Sequence, residues 1–190
     1  DPYGTAIFDS LWNEATDNIG VAAGHGVTLT RKLDGSIRPW GAFGYTQPAL
    51  PPGIQYVEAS LSHGAYVLRR SDGSLHVSGD PNSGVQNVPP LPTGVVYTGV
   101  AAGDQFVLAL RSDGSIVGWG NNWQGVLNVP ALPPALHYVE VAAGPRFNMG
   151  YGVGRRSDGA VVTWGGWSGG VPALPAGTTY TAVRAGYYHV

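Results

Sequence analysis

Short runs of β-forming residues, each closed by a polar turn, recur along the chain. Val27–Leu33, Tyr66–Arg70 and Phe106–Arg111 are such runs, and each leads into an Asp-Gly pair. Asp-Gly is a strong hairpin signal, because glycine supplies the positive φ that the turn needs. A second strand is expected after each turn, over Ser36–Trp40, Ser74–Ser78, Ser115–Trp119 and Ala160–Trp164. Past a Pro-rich connection come third strands such as Tyr97–Ala101 and Tyr138–Ala142. No stretch of helical period reaches a useful length, and proline every few residues argues against helices in the connections. The pattern predicts an all-β chain.

The pattern is also periodic. Asp34-Gly35, Asp72-Gly73, Asp113-Gly114 and Asp158-Gly159 are separated by 38, 41 and 45 residues. Six residues after each Asp stands Trp40, Ser78, Trp119 or Trp164, each followed by glycine. Leu-Pro pairs follow at Leu50-Pro51, Leu91-Pro92, Leu132-Pro133 and Leu174-Pro175, and five residues past each proline is Tyr56, Tyr97, Tyr138 or Tyr180. A small-residue element closes each unit: Ala59-Ser60-Leu61, Ala101-Ala102-Gly103, Ala142-Ala143-Gly144 and Ala185-Gly186, with an earlier copy at Ala22-Ala23-Gly24. Length varies in two places, between the small element and the hairpin and between the hairpin and Leu-Pro, so these segments are expected to be loops. The fourth copy carries extra residues near Pro145–Gly152.

An all-β unit of about 40 residues with small-residue spacers predicts one β-propeller blade per copy. Ala-Ala-Gly suits an inner strand, where blades converge and neighbouring backbones come close. The recurring Trp and Tyr are expected to pack blade against blade. A β-solenoid is the alternative, although solenoid units are usually shorter and lack hairpin turns. The expected divisions are 19–57, 58–98, 99–139 and 140–181, with a fifth unit beginning at 182–190 in a strand.

Composition narrows the class. The chain has 190 residues, one domain of ordinary size or part of a larger one. Its 30 Gly and 15 Pro approach the level of a disordered chain, but 43% hydrophobic and 11% aromatic residues are enough for a core. Charged residues are 12% and the net charge is −2, which demands neither nucleic acid nor an anionic membrane. There is no cysteine, so disulfides, thiolate metal sites and cysteine nucleophiles are excluded. No apolar run approaches a membrane span, and no signal peptide is recognisable. The chain begins at Asp1 and its one Met is Met149, so a processed mature chain, a trimmed piece or a fragment is expected.

In Val100–Asn122 a small-Gly element leads through a Leu-rich strand to Ser112-Asp113-Gly114 and then Trp119-Gly120. This string resembles the regulator of chromosome condensation repeat, particularly its bacterial versions, and the resemblance runs over residues 19–190. It departs at Ser78, where the repeat has Trp, and in the varied register of His25, His63 and His189. The resemblance implies a ring of about seven blades, needing about 280 residues. Four near-complete blades and part of a fifth are then an arc of a larger ring. The alternative is a small ring closed by residues 1–18, with Thr5–Trp12 as a blade-completing strand. The family serves many partners, so the resemblance speaks to fold more than to function. Its β-lactamase-inhibiting propellers grip an enzyme through loop positions that match Tyr45, Asp104, Trp123 and Phe147, but the residue identities here do not reproduce that binding set. The segment that its nucleotide-exchange branch uses on a small GTPase is not found, nor is the Gly-Trp-Arg-His-Thr string of its photoreceptor branch.

Propeller geometry sorts the candidate residues. The Asp-Gly turns lie at one end of each blade, and the two variable loops lie at the other. From those loops Tyr45, Asp104, Asn122, Trp123, Arg146, Phe147, Trp167 and Tyr187 are the candidate binding residues. Asn and Gly could equally serve turn geometry there. At the turn end, Arg31, Lys32, Arg69, Arg70, Arg111, Arg155 and Arg156 outnumber four Asp, giving a rim of about +3 that could meet phosphate or simply form local ion pairs. The histidines lack metal-ligand spacing, and no catalytic motif is present. Glu58 and Glu140 hold equivalent places and are expected to be structural. The reading is a non-catalytic scaffold, without metal or cofactor, that binds a protein or glycan, extracellular or at a cell surface. No nucleic acid is expected among its partners. The alternatives are a structural subunit that assembles through open blade edges and, further off, an enzyme.

Overall fold

The computed structural model describes residues 18–24, 26–41, 48–144, 149–166 and 170–186. The suggested strand at Thr5–Trp12 lies outside these residues. Twelve strands form four three-stranded antiparallel sheets, each in sequence order. Blade one contains β1 (Asn18–Gly24), β2 (Val27–Lys32) and β3 (Ile37–Gly41). Blade two contains β4 (Tyr56–Leu61), β5 (Ala65–Arg70) and β6 (Leu75–Gly79). Blade three contains β7 (Tyr97–Ala102), β8 (Phe106–Arg111) and β9 (Ile116–Gly120). Blade four contains β10 (Tyr138–Gly144), β11 (Tyr151–Arg156) and β12 (Val161–Gly165). The predicted strands fall within a residue or two of these bounds. Tyr151 and Gly152, expected at the end of the inserted loop, already belong to β11. Among the described residues the helical structure consists of two 3-10 turns, Pro81–Ser83 and Trp123–Gly125.

The first strands of successive blades face one another, and the small residues sit there. Ala101, Ala102, Ala142 and Ala143 are buried in these strands. The strands bound an axial hollow of about 580 Å³. Between blades the core is continuous. Val67 and Ala65 of blade two pack against Val107, Ala109 and Trp119 of blade three, with Val85 of the intervening connection buried among them. Leu108 and Phe106 of blade three meet Trp164 of blade four across Val126.

Each turn closes in the same way. Gly35 donates its N–H to the Lys32 carbonyl and has φ +79°, and Gly73, Gly114 and Gly159 repeat both features. In this turn only the glycine is left-handed, while the Asp carboxylate accepts the N–H two residues on: Ser36 at 2.8 Å, Ser74 at 2.9 Å, Ser115 at 2.9 Å and Ala160 at 3.1 Å. The turn glycine's carbonyl then accepts the N–H of the tyrosine that opens the next blade's first strand (Tyr56, Tyr97 and Tyr138), and of Tyr180 after the fourth blade, at 2.9 to 3.3 Å. Those tyrosines in turn donate their hydroxyls to the carbonyls of Pro48, Pro89, Pro130 and Pro172 in the Pro-rich connections.

The expected fifth strand is not found over residues 180–186. A strand needs a backbone ladder, and no hairpin partner lies beside this segment among the described residues. Side chains of blade four hold it instead. Val183 is buried against Tyr151 and Val153, its N–H reaches Glu140 Oε2 at 3.2 Å, and the Tyr151 hydroxyl donates to the Gly186 carbonyl at 2.7 Å.

Candidate binding face

The loops opposite the Asp-Gly turns form the candidate face. Their second halves are alike in blades two and three. After β6, Gly84 at φ +75° leads to buried Val85, and after β9, Gly125 at φ +75° leads to buried Val126. The carbonyls of Val85 and Val126 accept the indole N–H of Trp119 and Trp164, each at 2.7 Å. Trp119 and Trp164 therefore tie blades three and four to the connections before them. Trp40 differs: its indole donates to Thr30 Oγ1 within its own blade at 3.2 Å, and the Arg38 guanidinium lies 4.8 Å from its ring centre.

The first halves of the loops are individual. After β6, Asp80 caps a 3-10 turn by accepting the Asn82 N–H at 2.9 Å, and Gln86 donates to the Gly79 carbonyl at 2.9 Å. After β9, the Asn121 amide donates to Gln105 Oε1 at 2.6 Å. Asn122 Oδ1 accepts the Leu127 N–H at 2.8 Å, and its amide donates to Asn128 at 3.3 Å. Asn122 thus serves the turn geometry of its own loop. Trp123 stands beside it and is 38% exposed, the largest exposed aromatic among the described residues. The next residue, Gln124, holds a left-handed backbone at φ 57°.

Asp104 lies on the same face, between β7 and β8, but is buried. Its Oδ1 is 3.3 Å from His63 Nδ1 in the corresponding loop of blade two, and neither carboxylate oxygen accepts a hydrogen bond. Tyr45, Arg146, Phe147, Trp167 and Tyr187 lie outside the described residues. The structure therefore brings together Asp104, Asn122 and Trp123, one of them exposed, one buried and one occupied within its loop.

The axial side carries a feature that spacing alone did not reveal. Glu58 accepts from Arg69 Nε at 2.7 Å and reaches the Val100 N–H of blade three at 3.4 Å. Glu140 accepts from Arg155 Nε at 2.9 Å and from Arg184 at 2.6 Å. Burial pushes the Glu140 pKa up, but the hydrogen bonds from Arg155, Arg184 and the Val183 N–H outweigh it, so the net shift is down. The signal was present in the sequence as a Glu two residues after the blade-opening Tyr, with an Arg opposite in register. Ser60 adds a bond of the same kind, accepting the Ala102 N–H at 2.9 Å. Glu58 and Glu140 are therefore seam residues, in keeping with the structural role expected of them.

These carboxylates also change the basic rim. Arg69 and Arg155 are neutralised by Glu58 and Glu140, and Arg156 bonds Asp158 with Nε to Oδ1 at 3.0 Å. The excess of about +3 expected from the turn-end residues alone is thereby reduced, because two acidic partners arrive from the neighbouring strand. Among the described residues no group of three or more His, Cys, Asp or Glu could hold a metal ion, and no helix is long and apolar enough to cross a membrane.

Radially arranged antiparallel blades with small residues at the axis define the class: the chain folds as an arc of a β-propeller. Residues 97–125 match the family model of the regulator of chromosome condensation (RCC1) repeat, so the chain carries a repeat of that type. Its fold is similar to that of Prp20p from Saccharomyces cerevisiae, in a study of its binding properties to Gsp1p and histones (TM-score 0.68, 20% identity, covering 93% of this chain and 55% of that one). Yeast RCC1 (Prp20) bound to Kap60 gives a TM-score of 0.69 at 18% identity, covering 93% of this chain and 53% of that one. The CRINKLY WD40 ectodomain of the Arabidopsis thaliana receptor kinase ACR4 gives 0.62 at 21% identity, covering 90% and 59%. These likenesses are of fold, and the chain spans roughly half of each of those proteins. No curated protein sequence matches.

Proposed function

We propose that this chain is a non-catalytic binding scaffold that recognises a protein or glycan through the loops opposite its Asp-Gly turns. The observation that carries this reading is the half-exposed Trp123, presented by a loop whose amides are already bonded within the fold. A large aromatic on a pre-organised loop loses little entropy on binding, which is what an interface anchor requires. Propellers of this repeat type commonly serve as binding modules, and the solved relatives include one bound to Kap60. The ion pairs at the turn-end rim support leaving phosphate-rich partners aside. An extracellular or cell-surface setting is part of the same proposal and would be checked by fractionating the native source.

The test is alanine replacement of Trp123 and, separately, of Trp167. Each variant is assayed on glycan arrays and against partners captured by the unaltered chain. Trp123→Ala should abolish capture while changing stability by less than about 0.5 kcal/mol, as surface changes usually do. Unchanged capture in both variants would remove this face from consideration.

A further inference from the structure

One position of the repeat sets blade one apart. Two residues past the opening of each first strand stand Gly20, Glu58, Gly99 and Glu140, and their register partners on the second strands are Arg31, Arg69, Leu110 and Arg155. Blades two and four pair Glu with Arg. Blade three has lost both charges and its gap is filled: a Cβ at Gly99 would stand 3.5 Å from Leu110 Cβ and 4.0 Å from Val141 Cγ1. Blade one has lost only the carboxylate. Among the described residues no acidic side chain pairs with Arg31. Its guanidinium lies beside Gly20, with Nε 3.5 Å from where a Cβ there would stand.

A cavity of about 180 Å³ opens at this place, lined by Arg31 and Gly20 and walled by Leu29, Ile37, Val57 and Ala59. Glu58 also borders it, with its charge already met by Arg69. Where the repeat keeps its Glu, the carboxylate takes a second donor from the unit that follows: the Val100 N–H on Glu58 and the Val183 N–H on Glu140. Ala59 holds in blade two the place that Val100 holds in blade three. A half-buried guanidinium beside apolar walls favours a carboxylate, which it can hold through two parallel N–H···O bonds.

We propose that this cavity, at the seam of blades one and two, binds a short aliphatic carboxylate, the chemistry of the missing Glu side chain. Arg31 and the Ala59 N–H are its donors, and the apolar wall takes its tail. A free short-chain acid and a glutamate side chain of a partner share this chemistry. The site does not depend on the scaffold reading above.

The test titrates the full chain with sodium propionate and, separately, with the blocked peptide acetyl-Gly-Glu-Gly-amide, following calorimetric heat and Tm against equal sodium chloride. Propionate should bind saturably at about millimolar Kd, as a ligand of so few atoms allows. Propionamide, its neutral analogue, should bind at least about tenfold more weakly. Uptake of the peptide assigns the source to a partner's acidic side chain, and uptake of propionate without it assigns a free acid. Arg31→Leu reproduces the pair with which blade three folds and should weaken binding at least about tenfold. Gly20→Glu supplies the carboxylate from the chain itself, at a Cβ position with ordinary contacts. It should abolish uptake and raise the Tm by about 2–4 °C. No saturable uptake of either ligand by the native chain overturns the proposal, as does uptake that either folded variant leaves unchanged. Should one variant not fold by circular dichroism, the other decides.

Discussion

The two ends of each blade obey different rules. At the turn end, four copies repeat one set of bonds: a left-handed glycine, an Asp carboxylate on the N–H two residues on, and the glycine carbonyl on the next blade's Tyr. At the loop end, blade two uses an Asp cap and a glutamine, and blade three uses an Asn–Gln bridge and an Asn cap. The turn end joins each blade to the next through the backbone, so a change there strains the seam. The first halves of the loops after β6 and β9 bond chiefly within their own blade, each by a different set of side chains. A recognition surface can vary there without loss of the ring geometry.

The largest expected effect lies where the loop end meets the core. Trp164→Ala removes a buried indole from the seam of blades three and four and leaves the Val126 carbonyl without its donor. It should cost about 3–5 kcal/mol, read as a marked loss of denaturant midpoint, while Trp123→Ala, at a partly exposed loop position, should move it far less.

Next is the turn itself. Gly114→Ala places a Cβ at φ +78° and 2.5 Å from the His137 Cβ of the next blade. Backbone strain and the clash together should cost about 2–4 kcal/mol, lowering the Tm by about 2–4 °C for each kcal/mol in a chain of this size. A loss no larger than that of a loop-end substitution would erase the contrast between the two ends.

Acid should also strike the turn end first. Hydrogen bonds hold these carboxylates below the ordinary Asp value of 3.8: mainly from the side chain of Ser36 for Asp34, the Ser74 N–H for Asp72, the Ser115 hydroxyl for Asp113 and the Arg156 guanidinium for Asp158. A lowered native pKa means that the stabilisation is complete above the ordinary value and is lost as pH falls through the native one. Thermal melts should therefore be nearly flat above about pH 5 and fall below pH 4. Asp72→Asn with Asp113→Asn should shallow that fall.

The smallest effect tests a lapse in the repeat. The connections place Gly53, Gly94 and Gly177 at φ +78° to +80°, while the third connection has Ala135 at φ +72°. Ala135→Gly should stabilise by about 0.5–1 kcal/mol, because the methyl group opposes a left-handed backbone. Gly177→Ala, with nothing within 4 Å to meet the new methyl, should cost a similar amount for the same reason.

Strand positions, the Asp-Gly turns and the blade repeat were legible in the residues because they depend on neighbours a few positions apart. The packing role of Trp119 and Trp164 was legible too, because a large residue at a fixed place in every unit needs a fixed partner. Its acceptor was not, since Val85 and Val126 are ordinary apolar residues until the ring brings their carbonyls to the indole. Residues 180–186 show the limit of local pattern: they have the composition of a first strand but no ladder partner among the described residues. Of the candidate binding residues, Trp123 is partly exposed, Asn122 is engaged within its own loop and Asp104 is buried.

Local chemistry along the chain thus determined the hairpins, the period and the class of fold, since turn preference and side-chain alternation act over two to six residues. Tertiary structure alone decided which charges meet and which are withdrawn from water. Glu140 and Arg184 are 44 residues apart, and His63 and Asp104 stand in different repeats. Those pairings follow from the rotation between blades, a through-space quantity that no run of adjacent residues encodes.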